Sequence, residues 1–574
     1  MKESNKSKFL YTIILITISV LVARLVFIQI VQGNYYRELS TYRSIRIITE
    51  EPLRGRILDR NGVVLAENVP SYDLVVVPED IKDKNRELNF ISSITGIKTA
   101  DIQTTIDKSG LPDYSDIIIK KDISKEEMIK IEEHTYEIPG VKVVLSSKRH
   151  YTFGEIGEAF LGFVGKVTET DLNTDEFYNQ NDVIGKQGVE LQYERDLRGE
   201  KGKKEALVDV FGREKKIIYE ESPVMGNDVY LTIDITVQKD LEKIIGDKNG
   251  VAIAMDPTTG EILAMVSHPT FDPNLLVNGI SQKAFEQILN EDAFLNRAIQ
   301  SHYPPGSTFK PMTLISALAS KTIDPKTTIY CGNSINIGGR IFKDWIYPSA
   351  FGYQNPVEGL ANSSDVFFYR VGLMTGIDQI DKYANLFKLG DTTGIDLPFE
   401  ISGLIPSSSW KLENIGENWY IGDTANTSIG QGYVLVTPIE LITFYQAIAN
   451  NGIQFTPHFL LKVISPQNKV IFEYNKTERL NLTLPQEILD TVKNGMEGLS
   501  NKPDMSIVRV NGISVCSKTG TAEVGANSVD HWLVSFAPKE NPEILGLVFF
   551  ENSKFPSSHS LAPFMRDLLK NFFE

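Results

Sequence analysis

The sequence predicts an α+β fold: a membrane helix, a β-rich front region, and a larger domain in which helices cover an antiparallel sheet. Three observations carry that reading. A 23-residue, largely apolar segment whose only charge is Arg24 stretches from Phe9 to Val31. Apolar residues alternate on both sides of Asn61-Gly62. Strand patterns gather at the two ends of the region after Gly226, with helical patterns between them.

The elements follow in chain order. As a helix, the Phe9–Val31 run is roughly 35 Å long, enough for a bilayer core. Lys2, Lys6 and Lys8 precede it against one acid, Glu3, so the positive-inside bias puts residues 1–8 in the cytoplasm and the remainder outside. The length of the run and the absence of Ala-x-Ala favour a retained anchor at 9–31 over a cleaved signal. Arg24 inside it either snorkels or meets another membrane protein. A front domain at 40–220 holds a hairpin, RGRILDRNGVVLAENVPSYDLVVV, turned at Asn61-Gly62, and a helix at Lys125–His134. Its last part, GKQGVELQYERDLRGEKG from Gly185, reads as a linker helix between glycine stops. A second domain, 226–574, opens with the strand DVYLTID, the helix VQKDLEKII and two strands in GVAIAMDPTTGEILAMVS. It closes with strands at Ile513–Glu523, Trp532–Ala537 and Ile544–Phe550 and the helix APFMRDLLKNFF.

Composition narrows the functions available. With 58 Lys+Arg against 74 Asp+Glu, the net charge of −16 has the wrong sign for a nucleic-acid partner. Cys331 and Cys516 are the only cysteines, too few for a Cys₄ zinc site or a disulfide framework.

The most informative stretch is Tyr303-Pro304-Pro305-Gly306-Ser307-Thr308-Phe309-Lys310-Pro311 ahead of an apolar helical run. Proline and glycine set a helix start near Ser307, and residues three apart share a face, so the Lys310 amine can lie beside the Ser307 hydroxyl. A helix start also offers N–H groups to a developing oxyanion. A bare Ser-x-x-Lys is weak, and Ser408-Ser409-Trp410-Lys411 is a second instance without the glycine turn. Two further motifs raise the first above chance: Ser363-Ser364-Asp365 before an apolar run, and Lys518-Thr519-Gly520-Thr521 on the strand ISVCSKTGTAEV. An upstream Lys108-Ser109-Gly110 lies in a charged stretch and reads as a surface turn. A serine, two lysines, a second hydroxyl and a strand edge suit acyl transfer from a substrate bearing a carboxylate. Lys518 would hold the anion, and the N–H groups of Ser307 and Thr521 would form the oxyanion hole.

This ordered trio is the signature of serine β-lactamases and penicillin-binding proteins. Together with the anchor, RGRILDRNG, GKQGVE, YPPGSTFKP, SSDVFFY, TGIDLP, IGQGY and SKTGTAE, it resembles the class B penicillin-binding proteins, most closely the elongation-type branch called penicillin-binding protein 2. The resemblance implies a pedestal or dimerisation-type domain at 40–220 and a transpeptidase domain at 226–574. It implies a D,D-transpeptidase that cross-links peptidoglycan stem peptides outside the membrane, with Ser307 attacking the penultimate D-Ala carbonyl and Lys310 taking its proton. Ser363 would relay a proton, Lys518 and Thr519 would bind the terminal carboxylate beside Gly520 and Thr521, and β-lactams would trap the serine. Asp365 stands where other branches carry Asn, as the elongation branch often does. A membrane glycan polymerase of the shape, elongation, division and sporulation family is the implied partner, and no cofactor is implied. Some relatives in this branch hold zinc beside the site; here only Cys331 and Asp344 match, with Phe351 near the His position and Ser364 at the Cys position, so no metal is expected.

Other readings compete. Glu291-Asp292-Ala293-Phe294 mimics a glycosyltransferase motif but lies inside the later domain and reads as helix surface. A secreted β-lactamase would need neither the anchor nor the long front region. A membrane-anchored D,D-carboxypeptidase shares the first half-reaction, and a non-catalytic β-lactam sensor or regulator of a glycan polymerase would keep the anchor.

Overall fold

The structure, a computed structural model, describes residues 2–33, 45–111, 113–174, 177–178, 182–208, 214–525 and 528–574. The expected start of the front domain at residue 40 lies outside them. Contacts gather the chain into two compact units, each assembled from separated segments: 1–53, 70–148 and 199–225 in the smaller, 54–69, 149–198 and 226–574 in the larger.

The smaller unit begins with the helix Lys2–Val26, which runs on through a π-helical turn at Phe27–Val31. Residues Lys8–Val31 are long and apolar enough to cross a membrane, and none of them is buried. Arg24 lies 5.7 Å from the centre of the Phe27 ring. Strands Ile45–Glu50, Gly202–Val208 and Glu214–Glu221 form an antiparallel sheet. A separate core of Leu74, Val76, Leu88, Ile91, Ile102 and Ile131 lies under three helices, Lys84–Thr95, Thr99–Lys108 and Lys125–Glu132. The last begins in a capping box, Ser124 with Glu127, and ends two residues short of the expected His134. Lys108-Ser109-Gly110 ends the middle helix, with Gly110 at φ 64°, a turn as expected.

In the larger unit five strands form an antiparallel sheet: β1 (Gly250–Met255), β2 (Ile262–His268), β3 (Cys516–Gly525), β4 (Ser528–Ala537) and β5 (Ile544–Phe550). Their order is β2-β1-β5-β4-β3, so β3 carries an unpaired edge. The strands that open the domain in sequence thus lie beside those that close it. Alternate residues explain the two covering layers. Val251, Ile253 and Met255 of β1 enter one core with Phe309, Met312 and Phe367; Ala252 and Ala254 enter another with Leu241, Leu568 and Leu569. Apart from Phe309, which directly precedes the second of them, the helices that bring the residues facing β1 are α1 (Ile235–Ile245), α2 (Lys310–Ala319), α3 (Asp365–Thr375) and α4 (Ala562–Phe573). β4 begins four residues earlier than its apolar run, because the hairpin with β3 continues past the sheet to pair Ala522 with Asp530 and Glu523 with Val529.

The Asn61-Gly62 hairpin joins Ile57–Leu58 to Val64, with Gly62 at φ 85°. The strand Asp228–Leu231 lies outside the five-stranded sheet, against Ile57–Leu58 and Leu460–Ile464. The expected linker helix after Gly185 is corrected. It is two short helices, Gly188–Gln192 and Glu194–Leu197, and it is packed rather than bridging. Glu190 is wholly buried between Arg54 and Arg149, and Tyr193 donates to Asp396 of the TGIDLP segment. A charged, glycine-flanked segment reads as solvated when the guanidiniums that bury it lie far away in sequence.

Candidate active site

Two prolines and a glycine bring the chain to the nucleophile, and Gly306–Phe309 then closes into a 3₁₀ turn that runs directly into α2. Ser307 is therefore in the turn, and Lys310 is the first residue of the α-helix. Backbone and side chains fix this turn from several sides. Gly306 N–H donates to Gly430 O (2.9 Å), Trp532 Nε1 to Pro304 O (3.1 Å), and Tyr445 Oη to Thr308 O (2.9 Å). Glycine is required twice where the turn meets β3. A Cβ on Gly306, at φ 53°, would lie 2.4 Å from Thr521 O, and one on Gly520 would lie 2.7 Å from Pro305 O. That contact puts the backbone of Ser307 beside the backbone of Thr521, the two N–H groups assigned to an oxyanion.

Lys310 does not hydrogen-bond Ser307 Oγ among the described residues. The Lys310 side chain is buried, and its Nζ donates to Ser363 O (2.7 Å), Ser363 Oγ (3.3 Å) and Asp365 Oδ1 (2.7 Å). Lys518 Nζ reaches the same Ser363 Oγ at 2.9 Å and Thr519 O at 2.9 Å. One hydroxyl thus bridges two lysines, with a carboxylate on the first. Ser363 has φ 51°, a backbone conformation rare outside glycine, and such strain of about 1–3 kcal/mol persists only where surroundings over-determine it. Burial, then repulsion from Lys310, push the Lys518 pKa well below that of a free lysine, against the attraction of Asp365.

Asp344 over-determines this segment. Its Oδ2 accepts from Ser364 Oγ (2.7 Å) and from Val366 N–H (2.9 Å), gripping the residues after Ser363 and after Asp365. Ser364 also caps α3 through Phe367 N–H. The same atoms test the zinc site that the resemblance raises, and they do not fit one. Cys331 is buried, burial pushes its thiol up to about 11, and it donates to Ile329 O (3.5 Å). Asp344 Oδ1 is buried and unpartnered, but Ser364 offers a hydroxyl and Phe351 offers no donor. Among the described residues no three His, Cys, Asp or Glu side chains come together as a ligand group. Metal analysis of the purified full-length protein is expected to find less than about 0.1 zinc per chain. Near-stoichiometric zinc, lost in Cys331→Ser, would refute this.

Ser307, Ser363, Asp365, Thr519 and Thr521 line one cleft of about 980 Å³. Lys310 and Lys518 join it through Ser363, and Gly520 joins it through the turn contact, so the structure brings together every residue assigned from the three motifs. The decoys fall elsewhere. Lys411 of the second Ser-x-x-Lys is buried on Asp423 (2.7 Å) between the rings of Tyr420 and Tyr433. Glu291 and Asp292 end an exposed helix, as expected of surface. No sequence pattern gives a role to Arg340, Tyr369 or Glu523, which also line the cleft, and the pattern around Asp344 marks it only as a possible ligand. IGQGY carries a signal whose meaning needs the fold: Gly430 is the residue against the nucleophile turn.

Residues 250–570 match the family model of the penicillin binding protein transpeptidase domain, and residues 49–231 that of the penicillin-binding protein dimerisation domain. The peptidoglycan D,D-transpeptidase MrdA of Salmonella typhimurium is 31% identical over 595 residues, covering 98% of this chain and 95% of that protein. Among solved structures, the chain is similar to one in the complex between penicillin-binding protein PBP2 and MreC from Helicobacter pylori, with a TM-score of 0.82 at 27% identity, over 92% of this chain and 98% of that one. It is also similar to a chain in a peptidoglycan synthase complex described for its structural coordination of polymerization and crosslinking, with a TM-score of 0.73 at 25% identity, over 99% and 98%.

Proposed function

The chain belongs to the penicillin-binding-protein transpeptidases, and from that premise we propose how its residues divide the work of cross-linking peptidoglycan in cell-wall elongation. It is a serine-type peptidoglycan D,D-transpeptidase. Ser307 Oγ attacks the carbonyl of the penultimate D-Ala, and the oxyanion forms between the N–H groups of Ser307 and Thr521. Lys518 and Thr519 hold the terminal carboxylate. Lys310 accepts the serine proton, which passes through Ser363 Oγ to the departing D-Ala amine. An acceptor amine then attacks the ester and releases Ser307.

The observation that supports this most is the Ser363 hydroxyl shared by two lysines. Two ammonium ions on one oxygen repel, and the lowered Lys518 pKa leaves a neutral amine in the chain at a lower pH than an ordinary lysine would. With the substrate carboxylate in place, a proton can then move from Lys310 through Ser363 to Lys518 without a water, leaving Lys310 neutral to take the serine proton and Lys518 charged against the carboxylate. Full-length protein reconstituted in vesicles with a glycan polymerase and lipid-linked precursor is expected to yield cross-linked muropeptides by mass spectrometry. Release of D-Ala with tetrapeptides alone would favour the carboxypeptidase, and penicillin labelling with no peptide turnover the sensor.

The relatives' assemblies with MreC and in a synthase complex support a membrane glycan polymerase of the shape and elongation family as partner. The apolar helix, the only one of its kind among the described residues, and the lysines before it support a single-pass protein with a cytoplasmic N-terminus and the catalytic domain outside. Protease added to intact protoplasts is expected to digest the transpeptidase domain; full protection would reverse the orientation.

A further inference from the structure

Arg340 and Glu523 line the cleft without an ion-pair partner among the described residues, as do Lys343, Asp344 and Lys502, and the placement of the first two is directional. Thr519, Thr521 and Glu523 alternate along β3 and all line the cleft. If Thr519 meets the terminal carboxylate and Thr521 the scissile carbonyl, the next position on that edge, about 6.7 Å further on, faces the residue upstream of the penultimate D-Ala. That position is Glu523, exposed and unpaired. Facing the same region is Arg340, first residue of the strand Arg340–Lys343, whose guanidinium lies 5.6 Å from the centre of the Phe342 ring. Phe342 in turn packs edge-on against Tyr369 at 5.4 Å. Glu523 and Arg340 both act on the Tyr369 hydroxyl, behind burial and the nearer acids, Glu523 raising its pKa and Arg340 lowering it.

We propose that Arg340 and Glu523 form a subsite for the third residue of the donor stem peptide, selecting a side chain that ends in an ammonium and a carboxylate together over one that ends in an ammonium alone. Glu523 takes the ammonium and Arg340 the carboxylate, so a diaminodicarboxylic acid satisfies both and lysine leaves Arg340 without an anion. The inference rests on the transpeptidase reading and deepens it by naming the substrate class.

The test uses full-length protein in detergent micelles and synthetic donor depsipeptides ending in D-Ala-D-lactate, with diaminopimelate or lysine in third place. Acylation by each is followed as the acyl-enzyme by intact mass and as released D-lactate, with active sites counted by penicillin titration. Wild type is expected to acylate about tenfold faster with the diaminopimelate donor, as suits one added charge-assisted pair. Arg340→Ala should bring the two donors within about twofold, chiefly by slowing the diaminopimelate donor, and Glu523→Gln should slow both. Equal rates in wild type, or a preference that survives Arg340→Ala, would overturn the inference and leave the transpeptidase standing. No acylation by either donor in protein that penicillin labels would overturn both.

Discussion

Ser307→Ala is expected to remove covalent labelling by a fluorescent penicillin altogether, with no mass adduct after prolonged incubation and a nearly unchanged melting temperature. The alanine deletes the only atom that can form the ester. The serine is half-buried and its hydroxyl makes no hydrogen bond among the described residues, so its loss opens no core cavity and leaves no partner unsatisfied. Lys310→Ala should slow acylation by about 10²–10⁴-fold, the usual contribution of a positioned base. It should also lower stability, because Asp365 and Ser363 lose their shared donor. Lys108→Ala, on the helix end in the smaller unit, should change neither. Acylation of the wild type should rise with pH along a limb centred below the pKa of an ordinary lysine, because burial and Lys310 drive one proton off the lysine pair early, at Lys518, and the proton that stays can pass from Lys310 to Lys518 when the carboxylate binds. Labelling that persists in Ser307→Ala, or equal effects of the two lysine variants, would move the nucleophile away from this turn.

Residues that sit in a local pattern are the ones legible in the sequence. Ser307, Lys310 and the Lys518–Thr521 strand are of this kind, because each has its own turn or strand signal and the order of three such patterns is specific. The sheet is legible because both faces of β1 and β5 are buried, leaving continuous apolar runs. Asp344 is hidden: its role lies in hydrogen bonds to Ser364 and Val366, and nothing around it in sequence marks a carboxylate that grips a distant helix start. The decoy Lys411 is the reverse case, a motif whose lysine is occupied by Asp423. Division into units is hidden too, since residues 54–69 and 149–198 join the larger unit through pairings that no local window contains.

Glu190→Gln is expected to be strongly destabilising although it lies outside the active site, by about 3–5 kcal/mol, the range for breaking a buried ion pair from one side. Glu190 Oε2 accepts from Arg54 Nε and Oε1 from Arg149 Nε, both at 2.6 Å. The Arg149 side chain is 2% exposed and Glu190 0%, so the variant leaves guanidiniums in a dry site without their shared anion. Arg54 keeps Glu194 at 2.7 Å, whereas the Arg149 guanidinium keeps, among the described residues, Gly55 O alone, so Arg149 carries most of the loss. The Arg56–Asp228 pair, whose arginine is 46% exposed, supplies the contrast: Asp228→Asn should cost under about 1 kcal/mol. The pH dependence has a definite sign. Burial alone would raise the Glu190 pKa, but Arg149 and Arg54 outweigh it and hold it below the ordinary 4.5. A carboxylate with a depressed pKa stabilises the fold at pH above its unfolded value and loses that contribution as pH falls through the folded one. Loss of penicillin-binding capacity after heating, compared between wild type and Glu190→Gln at pH 7 and at pH 4, should therefore show a gap that narrows in acid. A gap of under about 1 kcal/mol at pH 7 would mean the two arginines find other anions or water. Recovery of most of the loss in Arg149→Met with Glu190→Leu would show that the cost came from the orphaned charge and not from a missing contact.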